Sequence, residues 1–415
     1  MLANCQASIL CVLLWSSIYI HIGVSLCLSH KQPTRTLTMA LQSAVSAIGT
    51  AELDWPNLGF EYRQTDSFVK ITYKDGKWGD IRVEKDPLIK VHIGATALHY
   101  GQACFEGLKA FHCKVSKLRY GAVHPRLRPC TNHSSFPQRL QDGKVRIFRP
   151  QENSARITRS CERICMPPPP MDLFLEACKA VVRDNLAYVP PYGTGGALYI
   201  RPVLFGSSPR IGLQPAEEYQ LVIMALPVAD YYKGGLTGVS AVVIDDFDRA
   251  APRGVGSAKV AGNYAADLLP NMTAKKKGYP IGLYLDAKTN KYVEEFSTSN
   301  FLAIDKKGVY VTPKSDAILA SVTNKSLMDL ATDAGIPVER RQVSIEEVMS
   351  GGFNEIAACG TAVVVTPVSK VIYQDKVVSV GSGDAVGPVM RSLYERVRGI
   401  QKGELPDKFG WMVDV

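Results

Sequence analysis

The chain has 415 residues, of which 46% are hydrophobic and 21% charged, and its formal net charge is +9 at pH 7. This is the composition of a globular protein, and the length allows two domains with sizeable cores. The positive charge does not indicate nucleic-acid binding, because its excess lies in two acid-free segments, 1–51 and 113–141, and the remainder is close to neutral. We therefore expect no nucleic-acid partner.

Cysteine and histidine usage narrows the chemistry further. The ten cysteines are scattered, with no CxxC pair and no Cys/His spacing typical of a metal site, so we expect reduced thiols, an intracellular location and no bound metal. All seven histidines lie at or before His133, which leaves the rest of the chain without an imidazole general base. Catalytic triads and zinc hydrolases are therefore disfavoured.

The chain begins with an apolar run, Ala7–Leu28, that indicates a signal sequence or a weak membrane anchor, although no Lys or Arg precedes it. The following Ser29–Thr50 stretch is rich in Ser, Thr and Ala and lacks acids, which is typical of a mitochondrial transit peptide or a disordered tail. Met39 is an alternative start. We assign residues 1–51 to a targeting or disordered segment and leave a mitochondrial or cytoplasmic destination open.

Two domains are predicted, a small one at residues 52–228 and a larger one at 240–415, joined by the polar, glycine-bearing linker 229–239. In the second half, strands such as Ile281–Asp286 alternate with helices such as Tyr264–Lys276. The pattern predicts an α+β fold with two α/β-type domains.

The first half begins with several short strands between Phe68 and Ile93, followed by a predicted short helix at Leu98–Gly107. A hairpin is then expected between the strands Leu108–Phe111 and Val145–Phe148. The basic segment at about 115–140, which separates these strands, has neither helix nor strand period. We interpret it as an irregular surface insert.

Lys259 is the first candidate for chemistry. The stretch Arg253–Tyr264 around it is small or apolar, whereas Lys275–Lys277 lie among other charges. Poor solvation lowers the pKa of a lysine, and a neutral amine condenses with carbonyl groups. On this stretch alone, a lysine in a solvent-exposed turn is an equal alternative.

Other stretches supply what a lysine-bound pyridoxal phosphate needs. Glu294 and Glu295 approach a Ser/Thr-rich turn on a predicted strand, and only one of them can face a ring nitrogen because adjacent strand residues point in opposite directions. An exposed acidic pair is the alternative. Phosphate-binding amides and hydroxyls are available at Ser321–Thr323 and at Thr361, with Arg156 as a possible cationic contact, although capping and turn chemistry explain each of these alone.

A substrate carboxylate would need cations and hydroxyls in an apolar pocket. Arg201 lies between Ile200 and Pro202, an unusual place for a solvated arginine, and is therefore predicted to face a partner or a ligand. The other candidates are the aromatic residues Tyr100, Phe105, Tyr199 and Tyr231, which could equally belong to the core.

Taken together, the motifs resemble the branched-chain amino acid aminotransferases, from about Leu53 to Val415 except for the insert. The motifs that carry this resemblance are Tyr100–Phe111, Ile147–Pro150, Leu198–Pro202, Lys259–Tyr264, Glu295–Phe301 and Gly360–Ala362. The resemblance implies a fold-type IV pyridoxal-phosphate enzyme with a small N-terminal α/β domain and a larger pseudo-barrel domain. It also implies a homodimer that exchanges the amino group between leucine, isoleucine or valine and 2-oxoglutarate.

The resemblance also implies a role for each site residue. Lys259 would carry the cofactor and transfer the substrate proton, Tyr264 would bind the phenolic oxygen, and Glu295 would bind the ring nitrogen. The phosphate would be held by Arg156, Val322, Thr323 and Thr361, with Thr298 close to the ring. The substrate would meet Tyr100, Thr361 and Ala362 at its α-carboxylate, Tyr199 and Arg201 at the glutamate side chain, and Phe105, Tyr199 and Tyr231 around an apolar side chain.

The alternatives are a D-amino-acid aminotransferase or aminodeoxychorismate lyase of the same fold, or a cofactor-free homologue that acts as an interaction module. The Leu198–Pro202 motif argues against the first two, and the presence of Lys259, Tyr264 and Glu295 argues against the third. Val363–Thr366 stands where mammalian members carry a CxxC pair, so thiol regulation of that kind is not expected.

Overall fold

The structure is a computed structural model, and the residues that it describes belong to one compact unit. The described residues are 47–114, 143–229, 236–381, 383 and 386–415. The predicted targeting segment, insert and linker therefore lie wholly or largely outside the described residues, as does Tyr231. The domain boundaries stay predictions.

Strands and helices alternate along the described residues. The strands are β1 (Phe68–Lys74), β2 (Lys77–Trp78), β3 (Arg82–Glu84), β4 (Ala103–Phe105), β5 (Leu108–His112), β6 (Val145–Phe148), β7 (Ala197–Gly206), β8 (Tyr219–Val228), β9 (Val239–Ile244), β10 (Ile281–Leu285), β11 (Val293–Phe296), β12 (Ser299–Asp305), β13 (Tyr310–Pro313), β14 (Val338–Arg341), β15 (Phe353–Gly360), β16 (Val364–Tyr373), β17 (Lys376–Ser379) and β18 (Met412–Asp414). The α-helices are α1 (Thr96–Tyr100), α2 (Pro150–Arg163), α3 (Met171–Asp184), α4 (Ala261–Ala266), α5 (Leu268–Lys276), α6 (Val322–Asp333), α7 (Ile345–Met349) and α8 (Pro388–Gln401), and short 3₁₀ helices occur at Trp55–Asn57 and Leu186–Tyr188.

The first sheet has the order β18-β6-β5-β7-β8-β1-β2, with β3 added to β1 and β4 added to β7. The described pairs in this sheet are antiparallel, including the predicted β5–β6 hairpin. Helices α2 and α3 pack on it through fully buried residues such as Ile157, Phe174 and Val181. The last strand of the chain, β18, therefore completes a sheet otherwise built from the N-terminal half.

The second sheet has the order β11-β10-β9-β16-β15-β12-β13-β14, with β17 added to β16. An additional pairing between β11 and β12 closes six of these strands into a barrel. Strand β9 runs parallel to β10 and β16, whereas β12 is antiparallel to its neighbours. The mixed helix and strand content confirms the predicted α+β class.

Two predicted helices were wrong in extent. The helix predicted at Leu98–Gly107 ends at Tyr100, because Gly101 adopts a left-handed conformation with φ of 61°, and the chain then enters β4. The single helix predicted at Tyr264–Lys276 is divided between α4 and α5. Pro270 lies in the first turn of α5, where its missing N–H costs nothing, but its ring would clash with the carbonyl of a continuous helix.

Backbone contacts join the segment that carries Lys259 to the first sheet. The N–H of Phe105 in β4 donates to the carbonyl of Lys259 at 3.1 Å. The backbones of Cys104 and Val260 form an isolated antiparallel β-bridge. The Lys259 N–H donates to Ser160 on α2 at 2.9 Å. The lysine is therefore fixed between β4 and α2. Within the described part of the chain, no helix has the length and apolarity needed to cross a membrane.

Candidate active site

Lys259 lies against two aromatic rings. Its Nζ is 4.4 Å from the ring centre of Phe105 and 4.8 Å from that of Tyr264, and it donates to the Tyr264 hydroxyl at 2.6 Å. Burial and the nearby positive charge of Arg156 lower the pKa of Lys259 to about 7. Burial also raises the pKa of Tyr264 to about 12, so the phenol keeps its proton at neutral pH. The exposed-turn alternative is wrong for this lysine.

Glu295 and Glu294 are both buried and face different partners, so the exposed-pair alternative is also wrong. Arg249 contacts Glu295 at 2.8 Å, the Leu319 N–H donates to it at 2.9 Å, and Asn300 donates to it at 3.2 Å. Burial raises the pKa of Glu295 to about 7, against the opposing effect of Arg249. Glu294 instead accepts from Ser315 at 2.7 Å.

The predicted phosphate residues come together at the start of α6. Ser321 caps this helix by accepting from Asn324 at 3.2 Å, and Val322 and Thr323 follow in the first turn, where N–H groups have no intrahelical partner. Thr361, in the turn after β15, lines the same cavity as Val322 and Thr323.

Arg156 reaches the same region from α2. Its guanidinium contacts the carbonyl of Ala320 at 3.1 Å and forms two 2.7 Å contacts with Glu106. Glu106 is fully buried and also accepts from Asn153 at 2.7 Å. Sequence reasoning missed Glu106, although an acid inside the apolar motif before Gly107 was a usable signal. Because the pair is buried, each charge depends on the other.

The predicted substrate residues form a second group beside Lys259. Arg201 donates to the Tyr199 hydroxyl at 2.8 Å, and its guanidinium lies 4.8 Å from the ring centre of Phe105. Phe60, which sequence reasoning missed, contacts the edge of Tyr199 with ring centres 5.7 Å apart. Arg201 therefore faces a partner, as its sequence context predicted, and it does so in an aromatic setting.

The turn at Thr361 and Ala362 is held by the strand β5 and the residue before it. Lys109 donates from Nζ to the carbonyl of Ala362 at 2.6 Å, and the Thr361 hydroxyl donates to the carbonyl of Gly107 at 3.4 Å. Lys109 was also missed, because nothing in its sequence distinguishes it from a surface lysine. The contact fixes the turn and adds positive charge where an anion would bind.

Two predicted residues lie apart from these groups. Tyr100 is 41% exposed at the end of α1, and its hydroxyl contacts the carbonyl of Ile211. Thr298 is exposed in the turn between β11 and β12. Their predicted contacts with substrate and ring stay predictions. Arg249 and Asn300 are further residues that sequence reasoning did not assign to the site.

Comparison with known proteins identifies the family. The sequence model of the family Amino-transferase class IV matches residues 139–371. The branched-chain-amino-acid aminotransferase of Haemophilus influenzae is 41% identical over 370 residues, covering 88% of this chain and 99% of that protein. The corresponding protein of Helicobacter pylori is 39% identical over 365 residues, covering 88% and 98%.

The chain belongs to the class IV aminotransferases. A crystal structure of the Escherichia coli branched-chain amino acid aminotransferase is similar with a TM-score of 0.65 and 27% identity, covering 84% of this chain and 98% of that one. The branched-chain aminotransferase of Thermobaculum terrenum, solved in its PLP form, shares the fold with a TM-score of 0.65 and 20% identity, covering 85% and 99%. The predicted fold type IV is confirmed, and this class IV aminotransferase is an enzyme of the transferase class.

Proposed function

We propose that this class IV aminotransferase moves the amino group between L-leucine, L-isoleucine or L-valine and 2-oxoglutarate, with pyridoxal 5′-phosphate bound at Lys259. The observation that carries the proposal is the lysine amine with a pKa of about 7 beside Tyr264, in a chain 41% identical to a branched-chain-amino-acid aminotransferase. Relatives with that name do not favour the D-amino-acid or lyase alternatives.

The donor set fits the cofactor. An amine with a lowered pKa suits covalent attachment, and a buried carboxylate surrounded by donors suits a protonated ring nitrogen. Arg156, Val322, Thr323 and Thr361 offer a cation, amides and hydroxyls to a phosphate, and Tyr264 offers a proton to the phenolic oxygen. When bound, pyridoxal phosphate supplies an electron sink for the pair left behind when the substrate Cα loses its proton.

The residues of the chain account for the proton transfer. Nζ of Lys259 has a pKa near 7, so it can both accept and return a proton at the substrate Cα near neutral pH. The rings of Phe105 and Tyr264 limit its motion and its hydration. Arg249, 2.8 Å from Glu295, opposes the effect of burial on the pKa of that carboxyl and so favours its anionic form.

Two kinds of substrate side chain have to use the same pocket. Phe105 and Tyr199 offer apolar walls to a branched aliphatic group, while Arg201 and the Tyr199 hydroxyl offer a cation and a donor to the side-chain carboxylate of glutamate. Lys109 and the Thr361–Ala362 turn would receive the α-carboxylate common to both.

A homodimer is part of the proposal. The segment that leads into α1 contacts the segment around Ile211 through the backbone. Together the two segments carry four exposed apolar residues, with exposed fractions from 64% to 83%: Ile93, Leu98, Ile211 and Leu213. Exposed apolar residues grouped in this way are typical of an interface. Sedimentation of the purified chain gives the oligomeric state directly, and a monomer at micromolar concentration would contradict this part.

The function is tested on purified chain from about residue 51 onward, with the cofactor added. We expect a visible absorption band from the bound cofactor, and reduction with borohydride should leave the cofactor covalently attached to Lys259. We also expect amino transfer from L-leucine, L-isoleucine and L-valine. Lys259→Ala should lose both. A trapped adduct that persists in Lys259→Ala, or a preference for D-alanine over L-leucine, would refute the assignment of the lysine or of the substrate, respectively.

A further inference from the structure

Asn300 is a buried barrel residue paired with Glu295. It lies in β12 directly opposite Glu295 in β11, and it is 4% exposed. Its Nδ2 contacts Oε2 of Glu295 at 3.2 Å and the carbonyl of Leu319 at 3.0 Å. Both neighbours are acceptors, so the atom between them has to be the amide nitrogen, and the amide orientation is fixed.

The donors around Glu295 are divided unequally between its two oxygens. Oε1 accepts from the Leu319 N–H at 2.9 Å and forms an ion pair with the Arg249 guanidinium at 2.8 Å. Oε2 receives Asn300 and keeps a second lone pair. We infer that Asn300 is a positioning residue that presents Oε2 of Glu295 to the ring nitrogen of the cofactor.

The same amide connects this carboxylate to the phosphate region. The loop 317–320 leads directly to Ser321, the N-cap of α6, and three side chains hold its carbonyls: Arg249, Asn300 and Arg156. Among these three side chains, Asn300 is the one that also contacts Oε2, whereas Arg249 contacts Oε1. Asn300 therefore helps to set the distance between the oxygen that would receive the ring N–H and the helix start that would receive the phosphate.

The role follows from charge as well as geometry. An amide N–H that donates to Oε2 stabilises the carboxylate over the carboxylic acid, and the anion is the form that keeps a ring nitrogen protonated. The inference rests on the proposed function, since it needs pyridoxal phosphate in this orientation.

The test compares pyridoxal 5′-phosphate with its 1-deaza analogue, in which CH replaces the ring nitrogen. Dissociation constants are measured by fluorescence titration of the full-length chain, so the readout is independent of activity. The wild type should prefer the natural cofactor, and Asn300→Leu should reduce that preference about tenfold, the size of a hydrogen bond to a charged group. In a Glu295→Gln background, Asn300→Leu should cause no further reduction of the preference for the natural cofactor.

An equal loss of affinity for both ligands in Asn300→Leu would overturn the inference, because a purely structural residue weakens both alike. The inference would also be overturned if Asn300→Leu reduced the preference for the natural cofactor further in the Glu295→Gln background. Asn300→Asp preserves the side-chain shape and serves if the leucine variant does not fold; it places a second carboxylate against Oε2 and should lose the preference too. If the wild type bound neither ligand, the proposed function itself would fail, whereas wild-type binding without preference would reject the inference alone.

Discussion

Arg201 offers the sharpest test of how one pocket accepts two kinds of side chain. We predict that Arg201→Met greatly reduces the reaction with glutamate and only slightly reduces the reaction with leucine. The guanidinium donates to the Tyr199 hydroxyl at 2.8 Å and lies 4.8 Å from the ring centre of Phe105, so it is already oriented toward the pocket before any ligand binds.

The magnitude follows from what each substrate loses. A guanidinium that donates twice to a carboxylate contributes about 3 kcal/mol, which corresponds to roughly a hundredfold in kcat/KM. Leucine makes no such contact and loses only the packing of the cation over two rings, about 0.5 to 1 kcal/mol or a factor of roughly two to five. The ratio of the two kcat/KM values should therefore shift by about twentyfold or more.

Single-turnover stopped-flow measurements give the two half-reactions separately, because each amino donor converts the bound cofactor without a second substrate. Arg183→Met, which removes an exposed arginine paired with Glu176, is the control for the loss of one positive charge. If glutamate and leucine lost the same factor in Arg201→Met, the arginine would be a structural residue and the reasoning would be refuted.

Three further changes have defined outcomes. In the cofactor-free chain, Lys259→Met should raise the melting temperature at pH 7 and less so near pH 10.5, because burial lowers the pKa of this lysine to about 7 and the unfolded chain therefore binds more protons between these pH values. Glu106→Gln should destabilise the fold by about 3 to 5 kcal/mol, since it leaves a buried guanidinium without its anion. Gly107→Ala should lower kcat/KM for glutamate by about tenfold or more, because its Cβ would lie 2.3 Å from the Tyr199 hydroxyl.

Each of these three predictions has a result that would contradict it. A stabilisation by Lys259→Met that grew with pH would reverse the sign of the linkage. If Glu106→Gln changed the free energy of unfolding in urea by less than about 1 kcal/mol, solvent would have to reach the Glu106–Arg156 pair. Gly262→Ala is the control for Gly107→Ala, since its added Cβ would meet no atom within 4 Å beyond the local helix backbone, and equal effects of the two would reject the steric argument.

The sequence was informative where a residue carries its own chemical signal. The stretch around Lys259 was equally compatible with a poorly solvated amine and with an exposed turn, and the structure confirms the first. Ser321 before an apolar period indicated a capped helix, which is also confirmed. The class IV fold was predictable because several motifs occur in one order. Because adjacent strand residues point in opposite directions, only one of Glu294 and Glu295 was predicted to face a ring nitrogen, and in the structure the two side chains have different partners.

What could not be predicted depends on contacts between distant segments. Lys109 meets Ala362 across more than 250 residues, and Glu106 meets Arg156 across 50. Nothing local distinguishes Lys109 from a solvated lysine, and the apolar motif around Glu106 gives no sign of its partner on α2, because both contacts arise only in the folded tertiary structure. The position of Tyr100, exposed and next to Ile211, is likewise set by packing beyond its own motif.

The last strand of the chain has a consequence for how the protein is made. β18 pairs with β6, and Val415 donates to the carbonyl of Val145 at 3.1 Å. About 260 residues separate the two strands, so at a synthesis rate of roughly 5–20 residues per second β6 emerges from the ribosome tens of seconds before its partner exists. During that time it presents an open sheet edge. Chaperone protection of this edge, and the position of any affinity tag placed after Val415, therefore bear directly on the yield of folded protein.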